Sequence, residues 1–317
     1  MSTGPRAVRA TLVHNPGAGQ GLTGEDLVGS LEKAGYRTTY LSTKTKNLAS
    51  QLDEPGELVI VAGGDGTVAK VAAALAGRMT PLAILPVGTA NNIARSMGLV
   101  GGTSHIIEGL RTAQRKRLDV PVAHGPWGDR PFVEAAGVGL FARALAVLDH
   151  HDGEPLAQLA KEEATFESVV RLLRQMVTDY APRDWNATLD GRDLSGRYLM
   201  LEAMNIRLIG PHLHFAPDAD PGDGLFDVVL VSEDQCRALL DYLGHRLERE
   251  ASVPALTVHR GRRLEFSWTE PEIHFDDGVW LRALTDSAGA RSSGAAESIP
   301  VVLEIGGQSV DVLVPGP

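Results

Sequence analysis

The stretch "LVIVAGGDGTVAKVAAAL", residues 58–75, decides the fold of the N-terminal part of the chain. Its five leading apolar residues are typical of a buried strand, and the small residues near its end predict a helix. The turn between them consists of Gly63, Gly64, Asp65, Gly66 and Thr67. A glycine-rich turn between a strand and a helix can point its N–H groups at an anion, and the helix dipole strengthens that attraction. The stretch therefore predicts an α/β unit with a phosphate-binding turn.

Asp65 has two interpretations within this turn. A carboxylate repels a phosphate unless a divalent cation lies between them, and magnesium prefers one or two carboxylates together with phosphate oxygens. Alternatively, Asp65 caps a helix and the glycines only permit a tight turn. Three glycines, an aspartate and a threonine in one turn favour the nucleotide-binding interpretation.

Strands and helices alternate through the first third of the chain. "VRATLVHNP" (residues 8–16), "YRTTYLST" (36–43) and "LAILPVG" (82–88) read as further strands, with helical segments between them. Such alternation predicts a parallel sheet that is covered on both faces, with ligands beyond the carboxyl ends of the strands. Glycine-bearing turns begin after three of these strands, at Gly17, Gly63 and Gly88. We therefore expect the three turns to lie together at one edge of the sheet.

The pattern changes near "RLDVPVA", residues 117–123. Strand-like segments then follow one another without intervening helices, except for one strongly helical stretch at residues 154–181. This half of the chain predicts an antiparallel β-sandwich with a helical insertion. We assign residues 1–120 to a nucleotide-binding α/β domain and residues 121–298 to a β-rich, sandwich-like domain. The C-terminal segment 299–317 is strand-rich and is expected to return to the first domain.

Composition restricts the environment and the partners of the chain. The formal net charge of −10 argues against binding to nucleic acid and requires any contact with an anionic membrane to use a local patch. A single cysteine, Cys236, cannot form an intrachain disulfide and fits a reducing compartment. The N-terminus lacks the apolar core of a signal peptide, and no apolar run approaches the ~18 residues of a membrane span. We expect a cytoplasmic protein.

Four segments together carry a resemblance to a known family. They are "NPGAGQG" (15–21), "LPVGTANNIARSMGL" (85–99), "EAAGVGLFARA" (134–144) and "MNIRLIGPHLHFAPDADPGDGLFDVVLV" (204–231). With the opening stretch they resemble the diacylglycerol kinase catalytic family, which includes bacterial lipid kinases and eukaryotic sphingosine and ceramide kinases. The resemblance covers nearly the whole chain. It implies a nucleotide-binding α/β domain, a lipid-holding β-sandwich, and transfer of the γ-phosphate of ATP to a lipid hydroxyl with magnesium.

The resemblance also implies residue roles. ATP is expected at Asn15, Thr43, Gly63, Gly64, Asp65, Gly66, Thr67, Gly88, Thr89 and Asn91. A structural Mg²⁺ is expected at Asp220, Asp223 and Leu225. The stretch "DADPGDGLFD" is rich in oxygen ligands and suits a hard cation, although an acidic turn solvated by water explains it as well. The expected partners are a lipid substrate and, transiently, the inner face of a membrane.

Two departures from the family pattern concern the chemistry. Asn92 stands where the family commonly has aspartate, and Val279 in "HFDDGVWL" stands where it commonly has the glutamate of Asp-Gly-Glu. A hydroxyl that attacks phosphorus needs a proton acceptor. We assign that role to Asp277, with Asp276 as a second candidate, and a catalytic role to Asp65 at the phosphates.

Two other functions stay open at this point. The chain could be another "GGDGT" enzyme with a soluble substrate, such as an NAD kinase or a phosphofructokinase. The second turn, "PVGTANNIA", favours the lipid kinase over these enzymes. The chain could also bind nucleotide or lipid without catalysis, as Asn92 and Val279 suggest.

Overall fold

The computed structural model describes residues 6–19, 21–45, 47–99, 101–149, 165–250, 252–282 and 298–316. Two compact units divide the chain. The first comprises Met1–Val120, Asp220–Gly224 and Gly307–Pro317, and the second comprises Pro121–Ala219 and Leu225–Gly306.

The first unit is built on a six-stranded sheet. Its strands are β1 (Val8–His14), β2 (Tyr36–Ser42), β3 (Leu58–Gly63), β4 (Leu82–Pro86), β5 (Gln114–Asp119) and β19 (Ser309–Val314). Its helices are α1 (Gly24–Lys33), α2 (Leu48–Gln51), α3 (Asp65–Leu75), α4 (Asn92–Ser96) and α5 (Thr103–Gly109), followed by a 3₁₀ turn at Leu110–Thr112. The strand order is β2-β1-β3-β4-β19-β5.

The sheet of the first unit is parallel from β1 to β4. Strand β19 runs parallel to β4 and antiparallel to β5, so the far edge of the sheet is mixed. Every residue of β3 is buried, as expected for a central strand covered on both faces. Helix α1 begins with a capping box between Thr23 and Asp26. The α/β class predicted for this half is confirmed.

The second unit is an antiparallel sandwich. Its strands are β6 (Val122–Gly125), β7 (Gly128–Pro131), β8 (Ala135–Gly139), β9 (Arg183–Trp185), β10 (Ala187–Leu189), β11 (Arg192–Asp193), β12 (Gly196–Met204), β13 (Phe226–Ser232), β14 (Thr257–Gly261), β15 (Arg263–Trp268), β16 (Glu272–Phe275), β17 (Gly278–Leu281) and β18 (Ile299–Glu304). Its helices are α6 (Leu140–Asp149), α7 (Phe166–Asp179) and α8 (Cys236–Leu247), with a 3₁₀ turn at Glu233–Gln235.

Two sheets form this sandwich. Their strand orders are β11-β10-β15-β18-β6-β7 and β14-β13-β12-β8-β16-β17, and β9 pairs with β12. Large side chains from both sheets share one core, including Phe226 and Phe275 from one sheet and Phe266 and Trp268 from the other. The predicted sandwich is therefore confirmed.

The sequence predicts a helical stretch at residues 154–181. Helix α7 forms the second half of this stretch, and residues 154–164 lie outside the described part. The stretch "TDSAGARSSGAAES", residues 285–298, whose composition predicts a surface loop, also lies outside the described part, except for Ser298.

The C-terminal segment corrects one assignment. The sequence pattern predicts that residues 299–317 as a whole join the first unit, but β18 pairs with β6 and β15 in the second unit. Only β19 lies in the sheet of the first unit, and the boundary between the units falls after Gly306. The local sequence does not assign these two neighbouring strands to different units, because the sheet that a strand joins depends on its pairing with strands far away in the chain. In the described part of the chain, no helix is both long enough and apolar enough to cross a membrane.

Candidate functional site

Two glycine turns of the first unit touch through their backbones. A Cβ atom on Gly88 would lie 2.3 Å from the Cα atom of Gly64 and 3.0 Å from its nitrogen. Real side chains do not approach a backbone this closely, so position 88 requires glycine. The two turns follow the adjacent parallel strands β3 and β4, which places both at the carboxyl ends of those strands.

The carboxylate of Asp65 links these two turns. Its Oδ1 accepts a hydrogen bond of 2.9 Å from the backbone nitrogen of Ile93, at the start of α4. Burial raises the pKa of Asp65, while the backbone N–H groups of Ile93, Asn92 and Asn91 oppose that rise. Asp65 therefore acts as a cap, but on the neighbouring helix rather than on its own. A direct bond from Asp65 to a metal stays a prediction.

Asn91 shapes the second turn from within. It adopts a left-handed backbone with φ of 53°, a conformation that asparagine tolerates better than most residues. Its Oδ1 accepts a hydrogen bond of 3.0 Å from the nitrogen of Gly88, and its Nδ2 donates one of 2.8 Å to the carbonyl of Gly88. The side chain thus holds the turn from the inside. Thr89 is exposed beside it.

The first turn joins the other two at the same sheet edge, as expected. Asn15 Nδ2 donates to Thr67 Oγ1 over 3.5 Å, and a Cβ atom on Gly19 would lie 2.0 Å from the carbonyl oxygen of Val87. Thr43 follows β2, is half-buried, and donates its N–H to the carbonyl of His14. The structure brings the predicted nucleotide-binding residues of the first unit to one edge.

Gly66 tests whether this edge fits an anionic ligand. It lies in the first turn of α3, where glycine is less favourable than alanine. A Cβ atom at this position would meet no protein atom within 4 Å. Packing in the protein therefore does not require glycine here, whereas a phosphate approaching the N-terminus of α3 would. The residues present fit the phosphates of a nucleotide.

The predicted metal-binding loop is well ordered by its own hydrogen bonds. Asp220 Oδ1 accepts the N–H of Gly222 over 3.0 Å, and Asp223 donates its N–H to the carbonyl of Asp220. Asp119 completes the loop, because its fully buried carboxylate accepts the N–H of Gly224 over 2.8 Å. Nothing in the local sequence pattern singled out Asp119.

The donor set of this loop limits what it can hold. Within the described ranges, no group of three or more His, Cys, Asp or Glu side chains is placed to hold a metal ion. Leu225 can contribute only its main-chain carbonyl. The predicted site has two carboxylates and one main-chain carbonyl, so it differs from a group of three such side chains. Magnesium at Asp220, Asp223 and Leu225 stays a prediction.

The two aspartates of "HFDDGVWL" occupy different environments. They form the turn of the β16–β17 hairpin, where Phe275 pairs with Gly278. Asp276 Oδ1 accepts the N–H groups of Val133 over 2.9 Å and Glu134 over 2.6 Å. Burial raises the pKa of Asp276 to about 6. Asp277 is exposed, so it is the more accessible of the two candidate proton acceptors.

Two family models match the chain in succession. The diacylglycerol kinase catalytic domain matches residues 9–123, and the YegS C-terminal NAD kinase beta sandwich-like domain matches residues 156–305. The chain belongs to the diacylglycerol kinase catalytic-domain family. The first match covers the α/β unit with its glycine turns, and the second covers most of the sandwich.

Named relatives agree with the diacylglycerol kinase family. The diacylglycerol kinase of Bacillus subtilis (strain 168) is 25% identical over 240 residues, which is 71% of this chain and 74% of that protein. The diacylglycerol kinase of Staphylococcus saprophyticus is 26% identical over 247 residues, covering 75% and 76%. A crystal structure from Bacillus anthracis, described as a candidate diacylglycerol kinase, matches with TM-score 0.70 at 20% identity over 99% of both chains. That structural likeness shows the fold.

Proposed function

We propose that the protein is an ATP-dependent lipid kinase that transfers the γ-phosphate to the hydroxyl of a diacylglycerol-like or related lipid. The observation that carries the proposal is the contact between the two glycine turns. Asp65 links these turns by a hydrogen bond, and the space beside Gly66 is free of protein atoms. This arrangement lies within the residues matched by the diacylglycerol kinase catalytic domain. The named relatives are diacylglycerol kinases, which favours a lipid acceptor.

The chemistry requires two contributions from the chain and one from the metal that accompanies ATP. The glycine turns hold the phosphates through backbone N–H groups, which stabilise charge on the transferred phosphoryl group. Asp65 would hold the magnesium that accompanies ATP, and the ion would supply positive charge at the phosphate oxygens. Asp277 accepts the proton of the lipid hydroxyl. The hydroxyl oxygen attacks the γ-phosphorus, and the bond between this phosphorus and the oxygen of the leaving ADP breaks. Val279 cannot take that proton.

In this proposal, the acidic loop with Asp220 and Asp223 binds a magnesium ion that stabilises the fold. An ion that binds the folded state alone raises the melting temperature with its concentration. We expect magnesium to stabilise the wild-type protein and to stabilise Asp223→Asn much less, as measured by thermal unfolding across a magnesium titration. Equal stabilisation of both proteins would place the ion elsewhere.

A phosphotransfer assay tests the main proposal. γ-Labelled ATP is incubated with the protein, magnesium and extracted lipids in detergent, and the label in the organic phase is measured. Asp277→Asn, purified in the same way, controls for contaminating kinases. Label in the organic phase with the wild type alone supports the lipid kinase. ATP binding without any labelled lipid would contradict it.

A soluble acceptor is the second candidate function. The sandwich matches a model described as NAD kinase beta sandwich-like, and Val279 departs from the lipid kinase pattern. The same assay with NAD in place of lipid separates the two functions. Label in the aqueous dinucleotide would favour the soluble substrate.

A further inference from the structure

A row of three residues crosses the buried sheet of the second unit. Gly137 on β8 pairs with Glu202 on β12 on one side and with His274 on β16 on the other. The side chains of Glu202 and His274 meet across the glycine, with 2.6 Å between Oε2 and Nε2. Both side chains have 0% exposure, so the contact is shielded from water.

Gly137 makes this contact possible. A Cβ atom at this position would lie 2.1 Å from Oε2 of Glu202. Any other residue would displace the carboxylate and break its bond to the imidazole. The glycine and the two polar side chains therefore form one unit, assembled from three strands that are far apart in the sequence.

The other nitrogen of His274 contacts the hairpin turn. Nδ1 lies 2.9 Å from the carbonyl oxygen of Asp276, which can only accept a hydrogen bond. Nδ1 therefore carries a hydrogen and donates it. Glu202 and Nε2 share the remaining proton, and either location of that proton keeps the Nδ1–H donor in place. Glu202 thus fixes the orientation of the ring, and the carbonyl of Asp276 fixes the hydrogen on Nδ1.

Asp276 is held at three points as a result. Its N–H donates to the carbonyl of Ala135 over 2.8 Å, its carbonyl accepts from His274, and its carboxylate accepts from Val133 and Glu134. These bonds hold the backbone of Asp276 at a φ of 52° in the left-handed region. Asp277 is the next residue, so its direction follows from this anchoring.

A buried pair of this kind adds little to stability by itself. Its desolvation offsets most of its attraction, and apolar residues of the same volume are often as stable. The ring of Phe141 packs against His274 at 5.2 Å, so an apolar neighbourhood is already available. What apolar residues cannot supply is a donor aimed at the carbonyl of Asp276.

We infer that His274 and Glu202 are positioning residues that orient the Asp276–Asp277 turn for phosphoryl transfer. The inference rests on the proposed function, because Asp277 is the proton acceptor in that proposal. The carboxylate of Asp276 makes no bond to the imidazole, so the pair acts on the geometry of the turn and does not relay a proton.

Two substitutions at His274 separate positioning from stability. The amide nitrogen of His274→Asn occupies the place of Nδ1 and keeps the donor to the Asp276 carbonyl, but it leaves Glu202 without a partner. His274→Gln reaches Glu202 and loses the donor to the turn. We therefore expect His274→Asn to be the less stable variant and the more active one.

Steady-state kinetics and melting temperatures measure this reversal. We expect kcat for the lipid to fall on the order of 10²-fold in His274→Gln, as for a misplaced reacting group, with KM for ATP unchanged. His274→Asn should retain most of kcat. Should His274→Asn fail to fold, the double variant that also carries Glu202→Gln removes the unpaired charge of the Glu202 carboxylate. If kcat follows melting temperature across these variants, the role is structural and the inference is wrong.

Amide hydrogen exchange tests the turn without any assay of catalysis. The N–H groups of Val133, Glu134 and Asp276 should exchange faster in His274→Gln than in the wild type, and near the wild-type rate in His274→Asn. If the wild type phosphorylates no lipid but the two variants show this exchange pattern, the proposed function is wrong and the anchoring of the turn stands. Unchanged exchange in His274→Gln would overturn the anchoring itself.

Discussion

Asp65 in the first unit and Asp276 in the second perform similar tasks in different ways. Each carboxylate accepts backbone N–H groups at a turn, and burial raises the pKa of each. The donors to Asp65 come from the next strand–turn–helix repeat of the same parallel sheet. The donors to Asp276 come from residues 133 and 134, which are far away in the sequence and directly precede β8, the neighbour of β16 in the sheet.

The comparison shows how the two units divide the work. In the first unit, the buried carboxylate of Asp65 belongs to the glycine cradle, by which we mean the two turns that begin at Gly63 and Gly88. It links these two turns by its hydrogen bond to Ile93. In the second unit, the buried carboxylate anchors a turn, and the exposed neighbour Asp277 is left to act. Substitutions that separate anchoring from chemistry in each unit therefore test the proposed function most directly.

The largest effect is expected in the hairpin turn. Asp277→Asn should lower turnover by roughly 10²–10⁴-fold, the usual loss for a general base, with ATP affinity unchanged. Asp276→Asn is the matched control, because its amide oxygen can still accept from Val133 and Glu134. Turnover with labelled ATP and lipid decides between them. Full activity in Asp277→Asn, with loss in Asp276→Asn, would reverse the two roles.

The glycine turns offer a second matched pair. Gly88→Ala should weaken both folding and ATP binding, because its Cβ meets the backbone of Gly64. Gly66→Ala should fold as well as the wild type or be more stable by up to about 1 kcal/mol, since alanine favours the helix. It should nevertheless bind ATP less tightly, as measured by calorimetry. Wild-type affinity in Gly66→Ala would show that the nucleotide does not use this space.

A smaller effect is expected at the link between the turns. Asp65→Ala leaves the N–H of Ile93 without its acceptor, which should lower the free energy of unfolding by about 1–3 kcal/mol. Asp65→Asn keeps an acceptor oxygen and should lose less. Chemical denaturation measures both variants. If Asp65→Asn is as stable as the wild type but loses magnesium-dependent ATP affinity, Asp65 also acts on the metal.

The smallest effect is a difference in pH dependence. The pKa of Asp276 rises from 3.8 to about 6 on folding, so the folded state binds more protons than the unfolded state between these values. The free energy of unfolding attributable to Asp276 therefore falls as pH rises through this window. Asp276→Asn should remove that fall, and Asp277→Asn should keep it. Thermal unfolding between pH 4 and pH 7, about the range of these pKa values, compares the three proteins.

The family and the fold class followed from contiguous motifs. A strand, a glycine turn and a helix are neighbours in the chain, so "GGDGT" and "PVGTANN" carry their own geometry. Parallel topology then brings their turns to one edge. Even here the partner of Asp65 was not predicted, because capping a neighbouring helix depends on how β3 and β4 are placed side by side.

The sequence by itself determined the α/β unit, the sandwich, the glycine cradle and the Asp-Gly turn of this protein. Only the tertiary structure decided that β18 and β19 belong to different units, that Asp119 closes the acidic loop, and that Glu202 and His274 meet over Gly137. The physical reason is the range of the contacts. Turn chemistry acts within a few residues, whereas a buried pair requires the register of strands that are far apart in the chain.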